Sequence, residues 1–265
     1  MKLLYEPTDP GDLLRSGPGP LGDDDPLTTG GPPFPVTASF NPLTGWTTDP
    51  LHGVWASDPL WTPPADGGAV SSWRNGGSVG GDFVQATGSK QPTYRASTAA
   101  FNNQPTVQGD GTDDALAVTY AASISQPVYI VAVSTIDTAG RFLFDGPPGG
   151  SRMMLFTPAT KYRLNAGVDL TSAGNASASP QMLFITYNGA SSSLDVNGTN
   201  VLTGNSGSNV MGGLTFFNRH TDLGNAAGAL HLAYFAVFTT NPTALPEWAA
   251  FKAWCLSFYG IAVAP

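Results

Sequence analysis

Residue types that do chemistry are few in this 265-residue chain, and they seldom stand together. Histidine occurs three times, at His52, His220 and His231, never in an HxH or HExxH spacing, so no zinc site is spelled out. Cys255 is the single cysteine, which excludes an internal disulfide framework and leaves a small apolar side chain. Ser78 falls in one GxSxG string, Gly76–Gly80, but its glycines read as tight turns with no helical run behind them to form a nucleophile elbow, and no glycine-rich turn runs on into Lys-Ser/Thr. Serine-nucleophile and phosphate-loop chemistry therefore have no local signature.

Two short stretches do concentrate functional groups. In "GDGTDD" the carboxylates of Asp110, Asp113 and Asp114 are oxygen ligands of the type Ca²⁺ takes, but the run lacks the regular alternation and closing bidentate carboxylate of a calcium loop. A tight turn is the preferred reading, with no cofactor expected and Ca²⁺ as the alternative. In "FFNRHTDLGNAAG", Asn218, Arg219, His220 and Asp222 place amide, guanidinium, imidazole and carboxylate in one connection between strands. Such a mixture suits a hydroxyl-rich or protein surface, and the alternative is a solvated polar loop.

Those residues need elements to hold them, and the composition bounds which. Only 11% of residues are charged, while Gly (32) and Pro (23) are abundant, which favours short strands and many turns over helices. The net charge of −8 comes without any basic run, so nucleic acid and anionic membrane are not expected partners. No apolar run approaches the roughly 20 residues of a membrane span, and the start has no secretory h-region. The chain reads as made in a cytoplasm.

Residues 1–50 carry ten of the 23 prolines and no hydrophobic period, which predicts an extended arm. Leu3, Leu4, Tyr5, Leu13 and Leu14 are costly to leave in water, so the arm is expected to lie on a partner subunit. From about Trp55 strands alternate with turns: "PVYIVAVSTI", "RFLFDG", "RMMLFT", "KYRLNA", "GLTFFN" and "ALHLAYFAVFTT", with "QMLFITYNGASSSLDVNGTNVL" read as two strands with Asn-Gly turns. One helix is predicted near the end. It is introduced by Pro246 and Glu247, stopped at Gly260, and given an apolar face by Trp248, Phe251, Cys255 and Phe258.

In its order of motifs the chain resembles the concanavalin A-like, laminin-G-type jelly rolls of bacteriophage virion proteins. The motifs are "LWTPPADGGAVSSWRN", "QATGSKQPTYR", "FNNQPTVQGDGTDDALAV", "FITYNGASSSLDVNGTNV" and "ALPEWAAFKAWCLSFYGI", covering roughly residues 55–265. The resemblance implies an all-β, two-sheet antiparallel jelly-roll sandwich over residues 51–265, with the arm of residues 1–50 ahead of it and a short C-terminal helix. Trp73 then reads as a core anchor.

For function the resemblance implies a virion structural protein, most simply a minor tail or tail-tip protein displaying its jelly roll toward cell-surface glycan. The alternative is a capsid decoration protein clamped to the shell by its arm. Expected partners are other virion proteins and further copies of the chain. Sugar-cleaving relatives of such sandwiches use two facing carboxylates. Here the only glutamates are Glu6 and Glu247, and Asp195 stands alone on its strand. A glycan-degrading enzyme is the least favoured reading, and the chain is expected not to be an enzyme.

Overall fold

The computed structural model describes residues 40–136, 140–220 and 227–264. Strands follow in chain order as β1 (His52–Trp55), β2 (Ser72–Trp73), β3 (Phe83–Val84), β4 (Thr93–Thr98), β5 (Gln104–Gln108), β6 (Leu116–Ile124), β7 (Val128–Ser134) and β8 (Phe142–Asp145). After them come β9 (Met154–Phe156), β10 (Lys161–Asn165), β11 (Asp169–Asn175), β12 (Gln181–Tyr187), β13 (Ser192–Val196), β14 (Thr199–Gly204), β15 (Met211–Phe216), β16 (His231–Phe238) and the helix α1 (Trp248–Tyr259).

They form two antiparallel sheets, the expected sandwich. The first runs β14-β13-β12-β7-β16-β5-β4, with β1 pairing a further stretch of β16, and the second runs β11-β10-β9-β8-β15-β6-β3-β2. Between them lies a core that takes Trp73, Phe83, Phe144 and Phe216 from the second sheet and Ile130, Ile185 and Phe235 from the first. Trp73 is fully buried there, as its reading as a core anchor requires.

The unbroken apolar runs have a physical cause, because the central strands β7, β12 and β16 of the first sheet are buried on both faces. In β7, Ile130 and Ala132 point into the sandwich while Val131 and Val133 point outward into a second cluster. That outer cluster is built by α1 and by residues 40–46. Phe251, Trp254, Cys255 and Tyr259 form the buried stripe of the helix, and Gly260 ends it in the left-handed conformation (φ 73°) that permits a C-cap. In the second sheet β10 alternates buried with half-exposed residues and β6 does so over much of its length, while the central strands β8 and β15 are buried throughout.

Two expectations are corrected here. The boundary at residue 50 is too late: Leu43 and Trp46 are buried on the outer face of the first sheet, and the unit containing them begins at Ser39. Trp46 donates its indole N–H to the Pro42 carbonyl at 2.9 Å, and the Tyr234 hydroxyl donates to the same oxygen at 2.9 Å, so this proline-bearing stretch is tied to β16. Leu3, Leu4, Tyr5, Leu13 and Leu14 lie outside the described residues. The second correction concerns residues 181–202, which hold parts of three strands, β12, β13 and β14. Asn197 and Gly198 make the expected turn with φ of 50° and 81°, whereas Asn188 keeps φ at −152° and leads into a short 3₁₀ turn.

Candidate functional site

Among the described residues, a polar cluster on the second sheet has its centre in Asp145 at the end of β8. This carboxylate is 1% exposed, and both oxygens are occupied. Oδ1 accepts from Arg152 Nε at 2.7 Å and from the Gly146 N–H at 3.0 Å, while Oδ2 accepts from Arg152 Nη2 at 3.1 Å and from the His220 N–H at 3.1 Å. The bidentate fork gives geometric definition as well as energy. One buried charge thus ties the loop after β8 to the segment after β15.

The loop can lie close because β15 begins "MGG". A Cβ on Gly212 would stand 2.8 Å from the Ser151 Cβ, whereas one on Gly213 would press on the Val118 carbonyl of β6 at 2.5 Å. A side chain at Gly212 would therefore lift the loop that carries Arg152 to Asp145.

His220 completes the cluster. Its Nδ1 and the Thr215 hydroxyl are 2.7 Å apart, and burial lowers the imidazole pKa while the Asp145 charge partly offsets that. The net shift favours the uncharged ring. Arg152 also sits 5.8 Å from the centre of the Phe142 ring, and Phe142 packs on Phe156, which carries Arg163 at 5.9 Å. The result is a guanidinium over the Phe142 ring and, on the same carboxylate, the backbone of His220, whose imidazole is held by Thr215. Saturated by four donors, Asp145 positions these groups and has no spare lone pair with which to act as a base.

The structure separates the residues that sequence spacing had grouped. Asn218 is fully buried, donates to the Asp114 carbonyl at 3.3 Å and accepts from the Arg219 N–H, so its expected role as a ligand group is corrected to an internal brace. Arg219 is exposed beside it. Asp222 lies outside the described residues. Asp145, Arg152 and Thr215 were missed; the available signal was "DGPPGGSR", an acid and an arginine joined by a Gly/Pro loop short enough to fold back.

Asp110, Asp113 and Asp114 do come together, with carboxylate oxygens within 4.8 Å of one another. Two of the three already hold backbone. Asp110 Oδ1 accepts from the N–H of Thr112 at 2.7 Å and of Asp113 at 3.3 Å, and Asp114 Oδ2 accepts from the Asp110 N–H at 2.9 Å. Gly111, at φ 78°, allows the reversal. Burial above all, then the charge of Asp110 and that of Asp113, raises the Asp114 pKa to about 6.

No protein-family model and no curated protein matches the chain. Among solved structures it is similar to Trypanosoma rangeli sialidase in complex with sialic acid, at 11% identity and a TM-score of 0.49, over 72% of this chain and 31% of the sialidase. It is also similar to the botulinum neurotoxin serotype D binding domain, at 9% identity and a TM-score of 0.47, over 76% of this chain and 50% of that one. The receptor binding domain of the botulinum neurotoxin C/D mosaic serotype matches at 9% identity and a TM-score of 0.46, over 72% and 48%. This chain therefore spans about a third of the sialidase and half of the toxin domains. The expectation that it is not an enzyme is corrected: solved structures similar to it include glycosidases, and a search for paired glutamates does not exclude that company. The likeness is one of fold, and no activity passes from those proteins to this chain.

Proposed function

We propose that the chain is a bacteriophage virion component, a minor tail or tail-tip protein, whose jelly roll is displayed to recognise cell-surface glycan. The carrying observation is the asymmetry of the sandwich. The centre of one outer face is covered by α1 and residues 40–46, while on the other sheet the Asp145 carboxylate fixes the Arg152 guanidinium and the His220 backbone, with the imidazole held by Thr215. Fixed donors beside aromatic carbon suit hydroxyl-rich ligands, for which preorganisation lowers the ordering cost of binding. The virion placement is supported by the motif resemblance over residues 55–265, and attachment is assigned to the segment ahead of Ser39 and to further copies of the chain.

The test is binding of the full chain to isolated envelope polysaccharide of the host. Arg152→Lys, which keeps a cation beside the buried Asp145 carboxylate but loses the fork, and His220→Ala are expected to weaken it at least tenfold while the protein stays folded. Retained binding in both variants removes the face from the reading. Quantitative mass spectrometry of purified particles is expected to find a few copies per virion, and tens to hundreds would favour capsid decoration instead.

A further inference from the structure

A cleft of about 510 Å³ opens at the free edge of the second sheet, beside β2 and three strands away from β15. Leu60, Pro63 and Pro64 form an apolar wall, Ser72 lies along the floor, and Arg74 and Asp82 contribute the charged groups. We infer that this cleft is a second binding site, and that it takes an uncharged pyranose unit.

Its apolar wall is held rigidly in water. Leu60 is 70% exposed, yet its N–H is fixed on Asp58 Oδ1 at 3.0 Å, and the Trp61 N–H bonds the Asp58 carbonyl at 3.1 Å. The Trp61 indole N–H reaches the Ser72 carbonyl at 3.1 Å and caps that part of the sheet edge, so an added peptide strand would find this acceptor taken. Trp61 itself is 9% exposed and packed between Trp73 and Tyr94, which makes it a wall support and not a stacking platform.

The polar groups are equally fixed. Arg74 pairs through Nη1 with the buried Asp58 carboxylate and keeps 33% of its side chain exposed. Asp82 accepts from the Asn75 N–H at 3.0 Å and from the Ser72 hydroxyl at 3.3 Å while remaining exposed. A guanidinium edge and a carboxylate therefore meet one apolar wall, the combination that recognises a ring with hydroxyls on its rim and C–H groups on its face. The sign of charge selects further. Asp58 already balances Arg74, so Asp82 adds an uncompensated negative charge that repels uronic acids, sialic acids and phosphates.

This inference does not depend on the virion reading or on the Asp145 cluster, and its reporter is separate. The Trp61 indole N–H and the Leu60 methyl resonances of the full-length protein would be followed by NMR during titration with methyl α-D-glucopyranoside, methyl α-D-mannopyranoside, N-acetylglucosamine and glucuronate. At least one neutral sugar is expected to shift both signals with a millimolar dissociation constant, and glucuronate to bind at least fivefold more weakly. Leu60→Ser and Asp82→Asn are each expected to weaken the neutral sugar at least fivefold with the melting temperature unchanged. Absence of shifts with all three neutral sugars overturns the inference, as does equal binding of glucuronate or unaltered binding in both variants. A neutral sugar that shifts the Trp61 and Leu60 signals equally in wild type and His220→Ala keeps the two sites apart, so failure here is distinguishable from failure of the proposed function.

Discussion

The imidazole of His52 lies flat on the phenol ring of Tyr120, with ring centroids 3.7 Å apart and planes 5° from parallel. His52 belongs to β1 in the first sheet and Tyr120 to β6 in the second, so the pair stacks across the sandwich. Asn75 Nδ2 stands 3.0 Å from His52 Nδ1, which places the ring proton on Nε2 when the amide donates.

Burial lowers the His52 pKa to about 4, below its unfolded value of 6.5. Between those values the unfolded chain binds more protons than the native one, so stability is full above about pH 6.5 and falls as pH drops toward 4. The expected loss is about 1–2 kcal/mol after allowance for solvent screening. His220 and His231 are lowered in the same direction. Calorimetry from pH 7 to 4.5 should show the slope, and His52→Gln should flatten it; an unchanged slope in that variant would assign the effect elsewhere.

Asp114 acts with the opposite sign. Its folded pKa of about 6 exceeds the usual 3.8, so the native state holds its proton more tightly, and stability is lost as pH rises from about 4 through 6. Asp114→Asn keeps an acceptor for the Asp110 N–H and is expected to raise stability by about 1 kcal/mol at pH 7. The advantage should vanish below pH 4, which denaturant titration at both pH values checks.

If the Asp110–Asp114 segment works as a turn, chelator and added Ca²⁺ should both leave the melting temperature of the wild type where it is. A cation that binds only the native state raises stability with its concentration. A rise over a calcium series would thus reassign the three carboxylates as ligands.

Trp46→Ala removes the edge-on ring contact with Phe238 and the tilted one with Phe251, at centroid distances of 5.3 Å each. The expected cost is about 3–5 kcal/mol, the range for truncating a buried large aromatic. A chain begun at residue 39 should melt cooperatively, and one begun at residue 51 should melt lower because it also loses Leu43. Equal melting of the two truncations would restore the later boundary.

Asp145→Asn breaks the fork to Arg152 while keeping the shape of the side chain. The charge left behind is that of Arg152, which is partly solvated, so the expected cost is about 1.5–3 kcal/mol, that of lost hydrogen bonds to a charged group. Chemical denaturation is expected to show most of that, together with loss of His220 N–H protection from exchange, since the same carboxylate holds both.

Much of the fold was legible because its signals are local. The Asn197-Gly198 turn, the Gly260 stop and the apolar strand runs each follow from the conformations and burial that their own residues accept. Asn218 shows the limit: next to Arg219 and His220 it looks like part of a polar loop, yet it is fully buried because its amide meets a backbone carbonyl at Asp114, 104 residues earlier. Residues 40–50 were misplaced for a related reason. Their prolines spoil any periodicity, and their burial depends on α1, some two hundred positions away.

By itself the sequence determined that short strands and turns would build a two-faced sandwich with one apolar helix. Alternation, continuous apolar runs and helix-end residues are properties of neighbouring positions. Only the tertiary structure decided which polar groups meet. Asp145 reaches His220 across 75 residues because β8 pairs with β15, and Gly212 lets the Arg152 loop settle upon that strand. The cover on the first sheet was decided in the same way, by α1 and the segment before β1 converging on its central strands to bury apolar surface that neither could bury alone.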